Sequence, residues 1–437
     1  MPVLELDPLI DDLGTRIIVC CGAGGVGKTT TAAALGVRAA ERGRRVVVLT
    51  IDPARRLAQS MGIDSLDNTP RKVDGIKGSD GGELHAMMLD MKRTFDEIVE
   101  AHADPERARA ILENPFYQSL SAGFAGTQEY MAMEKLGQLR ARDAWDLIVV
   151  DTPPSRSALD FLDAPKRLGS FLDGKFIKLL MAPAKVGGRA GMKFLNVGMS
   201  MMTGTLGKLL GGQFLKDVQT FVAAMDTMFG GFRTRADATY RLLQAPGTAF
   251  LVVATPERDA LREAAYFVER LAAEEMPLAG LVLNRVHGSG AAGLSAERAR
   301  AAAENLEEGR MTDQGGGKTG RSGSPATSPE LSDLATAAVP SVPEAAPTAE
   351  PASAQHTDVT PTAQTDADVR HLTAGLLRLH AERMRVLTRE QRTRDRFTAL
   401  HPEVAVAEVA ALPGDVHDLA GLRAIGDRLT AGRTPSA

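Results

Sequence analysis

Val19-Cys20-Cys21-Gly22-Ala23-Gly24-Gly25-Val26-Gly27-Lys28-Thr29-Thr30 runs from an apolar strand through a glycine-dense turn into a helix. Ile17, Ile18 and Val19 favour the strand, and Lys28-Thr29-Thr30 opens an alanine-rich helical stretch. From Gly22 to Thr29 the residues satisfy G-x-x-x-x-G-K-[ST] in the strand-loop-helix setting that a phosphate-binding loop requires. Glycines let consecutive backbone N–H groups turn inward on an anion, and the helix amino end adds its positive pole. The pattern predicts that Gly22 through Thr30, with Ala23, Gly24, Gly25, Val26 and Gly27 between, line the phosphates of a nucleotide. Lys28 would reach the β- and γ-phosphates, and the Thr29 hydroxyl would ligate Mg²⁺.

Working outward, strands and helices alternate. Ile17–Cys21, Arg45–Ile51, Leu84–Leu89, Trp145–Val150, Phe250–Ala254 and Gly280–Leu283 read as strands, several of them continuous apolar runs of the kind buried in parallel sheets. Helices follow at Thr29–Arg42 and Arg258–Glu274. This order predicts an α/β fold, a doubly wound and mainly parallel sheet with ligands at the carboxyl ends of its strands.

Two regions break the alternation. Residues 165–245 are rich in Met, Phe, Leu, Lys and Gly and read as an inserted α-helical subdomain. In it Phe214, Leu215, Val218, Phe221, Val222, Met225, Met228 and Phe229 share one helix face. Residues 309–366 are Gly, Ser, Thr, Pro and Ala with scattered acids, too poor in large apolar side chains to offset ordering entropy, and read as a disordered insertion. The expected organisation is a core of 14–164 and 246–308 around the helical 165–245. After the insertion, 367–431 completes the core through a helix at Val369–Ala399, a strand at Val404–Leu412 and a helix at Leu419–Leu429.

Composition narrows the partners. The chain of 437 residues has 44% hydrophobic and 24% charged residues and a net charge of −4, which gives no bulk attraction to nucleic acid. Cys20 and Cys21 are the two cysteines; as strand neighbours they point to opposite faces and do not bridge. The amino end lacks a secretory pattern, so a cytoplasmic location is expected.

Two carboxylates end strands where the sheet edge should face the phosphates. Asp52, before Pro53, would orient the attacking water. Asp151 would hold the water shell of Mg²⁺, and Pro153, Pro154, Ser155 and Arg156 after it suit a loop that senses the γ-phosphate.

Gly22–Thr30, Asp52-Pro53-Ala54, Asp151-Thr152-Pro153-Pro154, Thr255-Pro256-Glu257 and Val282-Leu283-Asn284-Arg285 together resemble the ArsA-like ATPases, in order and across the chain outside 309–366. The resemblance implies a dimeric P-loop ATPase, homodimeric or paired with a paralogous ATPase, whose switch loops report nucleotide state to a helical subdomain. It implies that Asn284 hydrogen-bonds adenine, that Pro413 lies in the adenine-side loop, and that Asp52 and Asp151 are the switch acids. Three departures stand out. Ala23 occupies the place of the family's signature lysine, which implies slow or partner-dependent turnover, with Arg55, Arg56 or Arg156 as candidate substitute cations. Ser155-Arg156-Ser157 differ from the usual switch II ending. No thiol set exists for arsenite, so metalloid export is not expected.

The methionines of 165–245 (Met181, Met192, Met199, Met201, Met202, Met225, Met228) read first as core and second as a groove for an apolar client. Lys166, Arg167, Lys175, Lys178, Lys185 and Arg189 read as solvated faces, with a peripheral membrane partner as the lesser alternative. Two outputs remain open: a chaperone-like or targeting ATPase, and a nucleotide-gated scaffold with little turnover.

Overall fold

A computed structural model describes residues 2–52, 56–78, 81–120, 127–153, 217, 220, 221, 231, 234–314 and 363–430. Its core is an eight-stranded sheet in the order β3-β4-β2-β5-β1-β6-β7-β8. The strands are β1 (Ile17–Cys21), β2 (Arg45–Thr50), β3 (Arg71–Lys72), β4 (Glu83–Met88), β5 (Leu147–Asp151), β6 (Thr248–Ala254), β7 (Leu278–Val286) and β8 (Val406–Ala410). Every pairing is parallel except that of β3 with β4. The doubly wound α/β reading therefore holds.

The strands form because their residues are buried on both faces. β1, β5 and β6 are buried at every position, which explains their unbroken apolar runs. Alternate side chains enter different layers: Ile17, Val19 and Cys21 pack on one side of the sheet, Ile18 and Cys20 on the other. Both cysteines are free thiols, and burial pushes Cys21 up to about 12.

β5 and β6, consecutive strands of the sheet in chain order, flank β1. The chain thus changes direction around β1, which places the crevice of a doubly wound sheet at that strand's carboxyl end. The opposite edge is pinned by Arg44, whose buried guanidinium donates to the carbonyls of Ile10 (2.7 Å), Thr15 (2.6 Å) and Asp146 (2.6 Å).

The helices up to β5 are α1 (Leu6–Asp11), α2 (Lys28–Glu41), α3 (Arg56–Ser60), α4 (Met91–His102), α5 (Pro105–Leu112), α6 (Pro115–Leu120) and α7 (Thr127–Ala141). After β6 come α8 (Arg258–Ala273), α9 (Ala296–Gln314), α10 (Ala363–Leu400) and α11 (Leu419–Thr430). Most of the Met-rich stretch 165–245 and most of 309–366 lie outside the described residues. At the edges of the latter, 309–314 and 363–366 are helical, as the ends of α9 and α10. Among the described residues no helix is long and apolar enough to cross a membrane.

Candidate functional site

The loop after β1 is shaped by the residues it must avoid. Gly22 has φ +147°, and a Cβ there would stand 2.1 Å from the Val253 carbonyl oxygen. Gly27 has φ +96°, and a Cβ would stand 2.3 Å from Asn284 Nδ2. A side chain at either position would collide with β6 or with the end of β7, so the loop hugs the sheet only because both are glycine. Gly27 is also the N-cap of α2, and no side chain caps that helix. Its first N–H groups are left for a ligand, with the positive pole of the helix behind them.

Lys28 is 5% exposed and folds back, its Nζ donating to the Ala23 carbonyl at 2.7 Å. Burial lowers its pKa from the ordinary lysine value, while Asp151 pulls it back up. Thr29 Oγ1 donates to Asp151 Oδ2 at 2.8 Å, and Thr50 Oγ1 donates to the same oxygen at 2.9 Å. Asp151 is fully buried and its other oxygen, Oδ1, has no hydrogen-bond partner. Burial pushes its pKa up to about 6, against the two threonine hydrogen bonds and Lys28. A hydroxyl beside a carboxylate with one uncommitted oxygen is a donor set that suits a hard cation such as Mg²⁺. Among the described residues no group of three or more His, Cys, Asp or Glu could hold a metal. A cation here would draw its remaining oxygens from phosphate and water, as Mg²⁺ commonly does.

Asp52 follows β2 and is tied to the same frame, its backbone N–H donating to Thr50 Oγ1 at 3.2 Å. It lines a cleft of about 910 Å³ together with Gly25, Gly27, Lys28, Thr29 and Thr30. That volume lies within the range of ligand pockets. Thr255, Pro256, Asn284, Leu412, Pro413 and Gly414 line the same cleft. Asn284 is positioned by both amide atoms: Nδ2 donates to the Val26 carbonyl at 2.8 Å, and Oδ1 accepts from the Arg285 N–H at 2.9 Å. The strained backbone of Arg285, φ +58°, lies where the pairing of β7 with β8 shifts register before resuming at Val286 and Ala410.

Residues separated by up to 391 positions in the chain, Gly22 to Pro413, thus converge on one sheet edge. Ala23 is buried in the apolar layer and contributes its carbonyl to Lys28. Of the candidate substitute cations Arg56 lines the cleft, whereas Arg55 and Arg156 lie outside the described residues. Pro153 is half-buried beyond β5; Pro154, Ser155 and Arg156 lie outside the described residues.

Two features go beyond the sequence reading. Thr50 reads there only as the end of an apolar strand, although a hydroxyl at this place is what fixes Asp151 and Asp52 together; a polar residue closing such a strand is the available signal. His287 and Glu390 also line the cleft, with the ring Nδ1–H donating to Oε1 at 2.7 Å. They are 103 residues apart and no local pattern joins them.

The family described as anion-transporting ATPase (ArsA ATPase) matches residues 15–305. The ATPase GET3 of Podospora anserina is 26% identical over 283 residues, 64% of this chain and 76% of that protein. The ATPase GET3 of Malassezia globosa is 30% identical over 163 residues, 37% of this chain and 46% of that protein. The ATPase ARSA2 of Chlamydomonas reinhardtii is 27% identical over 298 residues, 65% of this chain and 72% of that protein. The matched span contains the glycine loop, both strand-end carboxylates and Asn284, so the chain belongs to the ArsA family of anion-transporting ATPases.

Proposed function

We propose that this ATPase is a nucleotide-driven switch that binds MgATP at Gly22–Thr30 and hydrolyses it slowly. The observation that carries the reading is the uncapped amino end of α2 opening on the cleft, with the Lys28 ammonium parked on the loop's own carbonyl. Thr29 and Asp151 would hold the metal, which supplies charge neutralisation on the phosphates when bound. Asp52 would accept the proton of the attacking water, and Asn284 and Pro413 would bracket the adenine. The protein would work in the cytoplasm as a homodimer or with a paralogous ATPase, without nucleic acid.

Calorimetry on the full chain with MgATP, followed by phosphate release in a single turnover, tests this. Micromolar or tighter binding and slow release are expected. Absence of binding heat from any adenine nucleotide would end the reading.

The proposed output is a client-bearing helical region, 165–245, with an apolar protein as client or a lipid surface as peripheral partner. A hydrogen-bonded route supports the coupling. Gln128 Nε2 of α7 donates to the Ile51 carbonyl at 2.9 Å, one residue before Asp52. Six residues on, Glu134 accepts from the Tyr130 hydroxyl at 2.9 Å and from Arg235 Nε at 2.6 Å. Arg235 lies in the helical stretch 234–244 that leads into β6. Glu134→Gln keeps the shape and removes the charge, and should cost about 1–3 kcal/mol of stability. It should leave MgATP affinity within about twofold and abolish the MgATP-dependent change in amide exchange across 234–244. Retention of that change would exclude Glu134 from the coupling.

Ala23 favours a second reading. Without the signature lysine the γ-phosphate loses a cation, and such charges carry much of the transition-state stabilisation. A scaffold that binds ATP and seldom turns over would fit. Dependence of partner release on hydrolysis separates the two, because only the switch must cycle.

A further inference from the structure

α10 carries two apolar faces. Ala374 and Ala381 are buried on one, and in α9 Ala299 and Ala303 are buried as well. Arg378 pairs with Glu307 of α9, and His380 Nε2 donates to the Leu294 carbonyl at 2.8 Å. On the opposite face, by the 100° step of an α-helix, Val369, Leu372, Leu376, Leu379 and Val386 recur at alternating three- and four-residue spacings. These are the a and d positions of a heptad, with Arg383 at the remaining a position. All five are between 48% and 65% exposed, whereas the other exposed large apolar side chains among the described residues, such as Leu13 and Tyr266, are scattered. A contiguous stripe of this kind marks an interaction site.

We propose that this seam docks against the same seam of a second copy of the chain, the two helices running antiparallel. The narrow heptad stripe fits a helix, which interdigitates its own a and d side chains with it. The intervening chain, 315–362, does not offer such a repeat: it contains no Ile, Phe, Met, Trp or Tyr, and prolines recur through it. A two-fold axis between Leu376 and Leu379 sets Val369 against the partner's Val386 and Leu376 against the partner's Leu379. Leu372 then meets the aliphatic stem of the partner's Arg383.

Charge selects the direction. Asp366 and Asp368 lie at the start of the stripe and Arg383 and Arg385 at its end. In this antiparallel register the flanking g positions bring Asp368 beside the partner's Arg389, while Arg370 and the partner's Arg385 lie on outer faces away from the seam. Parallel packing would align like with like. The pairing is independent of nucleotide, so it goes beyond the switch reading above.

Sedimentation velocity of the nucleotide-free full chain should show a concentration-dependent dimer. The double variant Leu376→Glu, Leu379→Glu should weaken it at least 100-fold. Both positions are exposed, so the circular dichroism spectrum and any MgATP binding heat should match wild type. Under mild oxidation, Val369→Cys chains mixed with Val386→Cys chains should yield a disulfide-linked dimer, and Val369→Cys chains alone should not; the native cysteines are buried. A wild-type chain that stays monomeric, including one that associates only with a different protein, overturns the proposal. So does a double variant that dimerises like wild type, or efficient linkage of Val369→Cys chains to one another. The sedimentation result stands whether or not nucleotide binds, so a failure here is distinct from a failure of the switch reading.

Discussion

Asp52→Asn should slow ATP hydrolysis in a single turnover by about 10²- to 10⁴-fold, the usual contribution of a positioned general base. MgATP affinity should stay within about threefold, because Asp52 is not part of the loop that would grip the phosphates. The prediction rests on a shared frame. Thr50 Oγ1 accepts from the Asp52 N–H and donates to Asp151, which in turn accepts from Thr29. The carboxylate at the end of β2 is therefore fixed relative to the helix end that would hold the phosphates. Asparagine keeps the shape but is a far weaker base. Asp415→Asn is the control, since Asp415 is another carboxylate lining the same cleft, two residues after Pro413. Equal rates for wild type and Asp52→Asn would remove Asp52 from the chemistry. If the prediction holds, the variant retains ATP unhydrolysed, and partners specific to the ATP state should copurify with it.

What could be read from the chain depended on whether a residue's role was local. The glycine loop, Asp52 and Asp151 were legible because each sits at a strand end, where pattern and chemistry coincide within a few residues. β1, β2 and β5 were legible because burial on both faces writes an unbroken apolar run. α7 was not, because Tyr130, Met131, Ala132, Met133, Glu134, Lys135 and Leu136 are all buried, so the helix shows no polar face and no 3.6-residue stripe. Its buried charges are satisfied at a distance, Lys135 by Glu97 at 2.8 Å and Glu134 by Arg235. α4 and α5 did carry a readable signal. Asp90 and Asp104 cap them by accepting from the N–H groups of Arg93 and Arg107, and Pro105 opens the second. The pairing of His287 with Glu390 depends on the return of α10 to the sheet, which no short window of sequence contains.

Asp151→Asn should impair turnover and stabilise the protein in the same stroke. The carboxylate is buried with one oxygen unpartnered, and its pKa is pushed from 3.8 up to about 6. The sign follows from proton linkage. Between about pH 4 and pH 6 the folded protein holds a proton that the unfolded chain has released, so this group's contribution falls as pH rises and levels off above pH 6. At neutral pH the ionised carboxylate burdens the nucleotide-free fold by about 3 kcal/mol, since a tenfold change in proton affinity corresponds to about 1.4 kcal/mol. Asparagine retains an acceptor for Thr29 and Thr50 and removes the charge, but sets an N–H where Oδ1 was left without a partner. The expected net gain is therefore about 1–3 kcal/mol at pH 8, falling by about 3 kcal/mol, to zero or below, under pH 4. Urea unfolding of both proteins without nucleotide measures it, the difference between them cancelling the titrating groups that do not feel Asp151. Magnesium-dependent turnover should fall about 10- to 100-fold, since the charge that burdens the empty site is the one a cation needs. A variant less stable than wild type at pH 8 would show that Asp151 is a structural carboxylate, satisfied as it stands. A variant more stable yet inactive would show that the fold carries an uncompensated charge for the sake of its ligand.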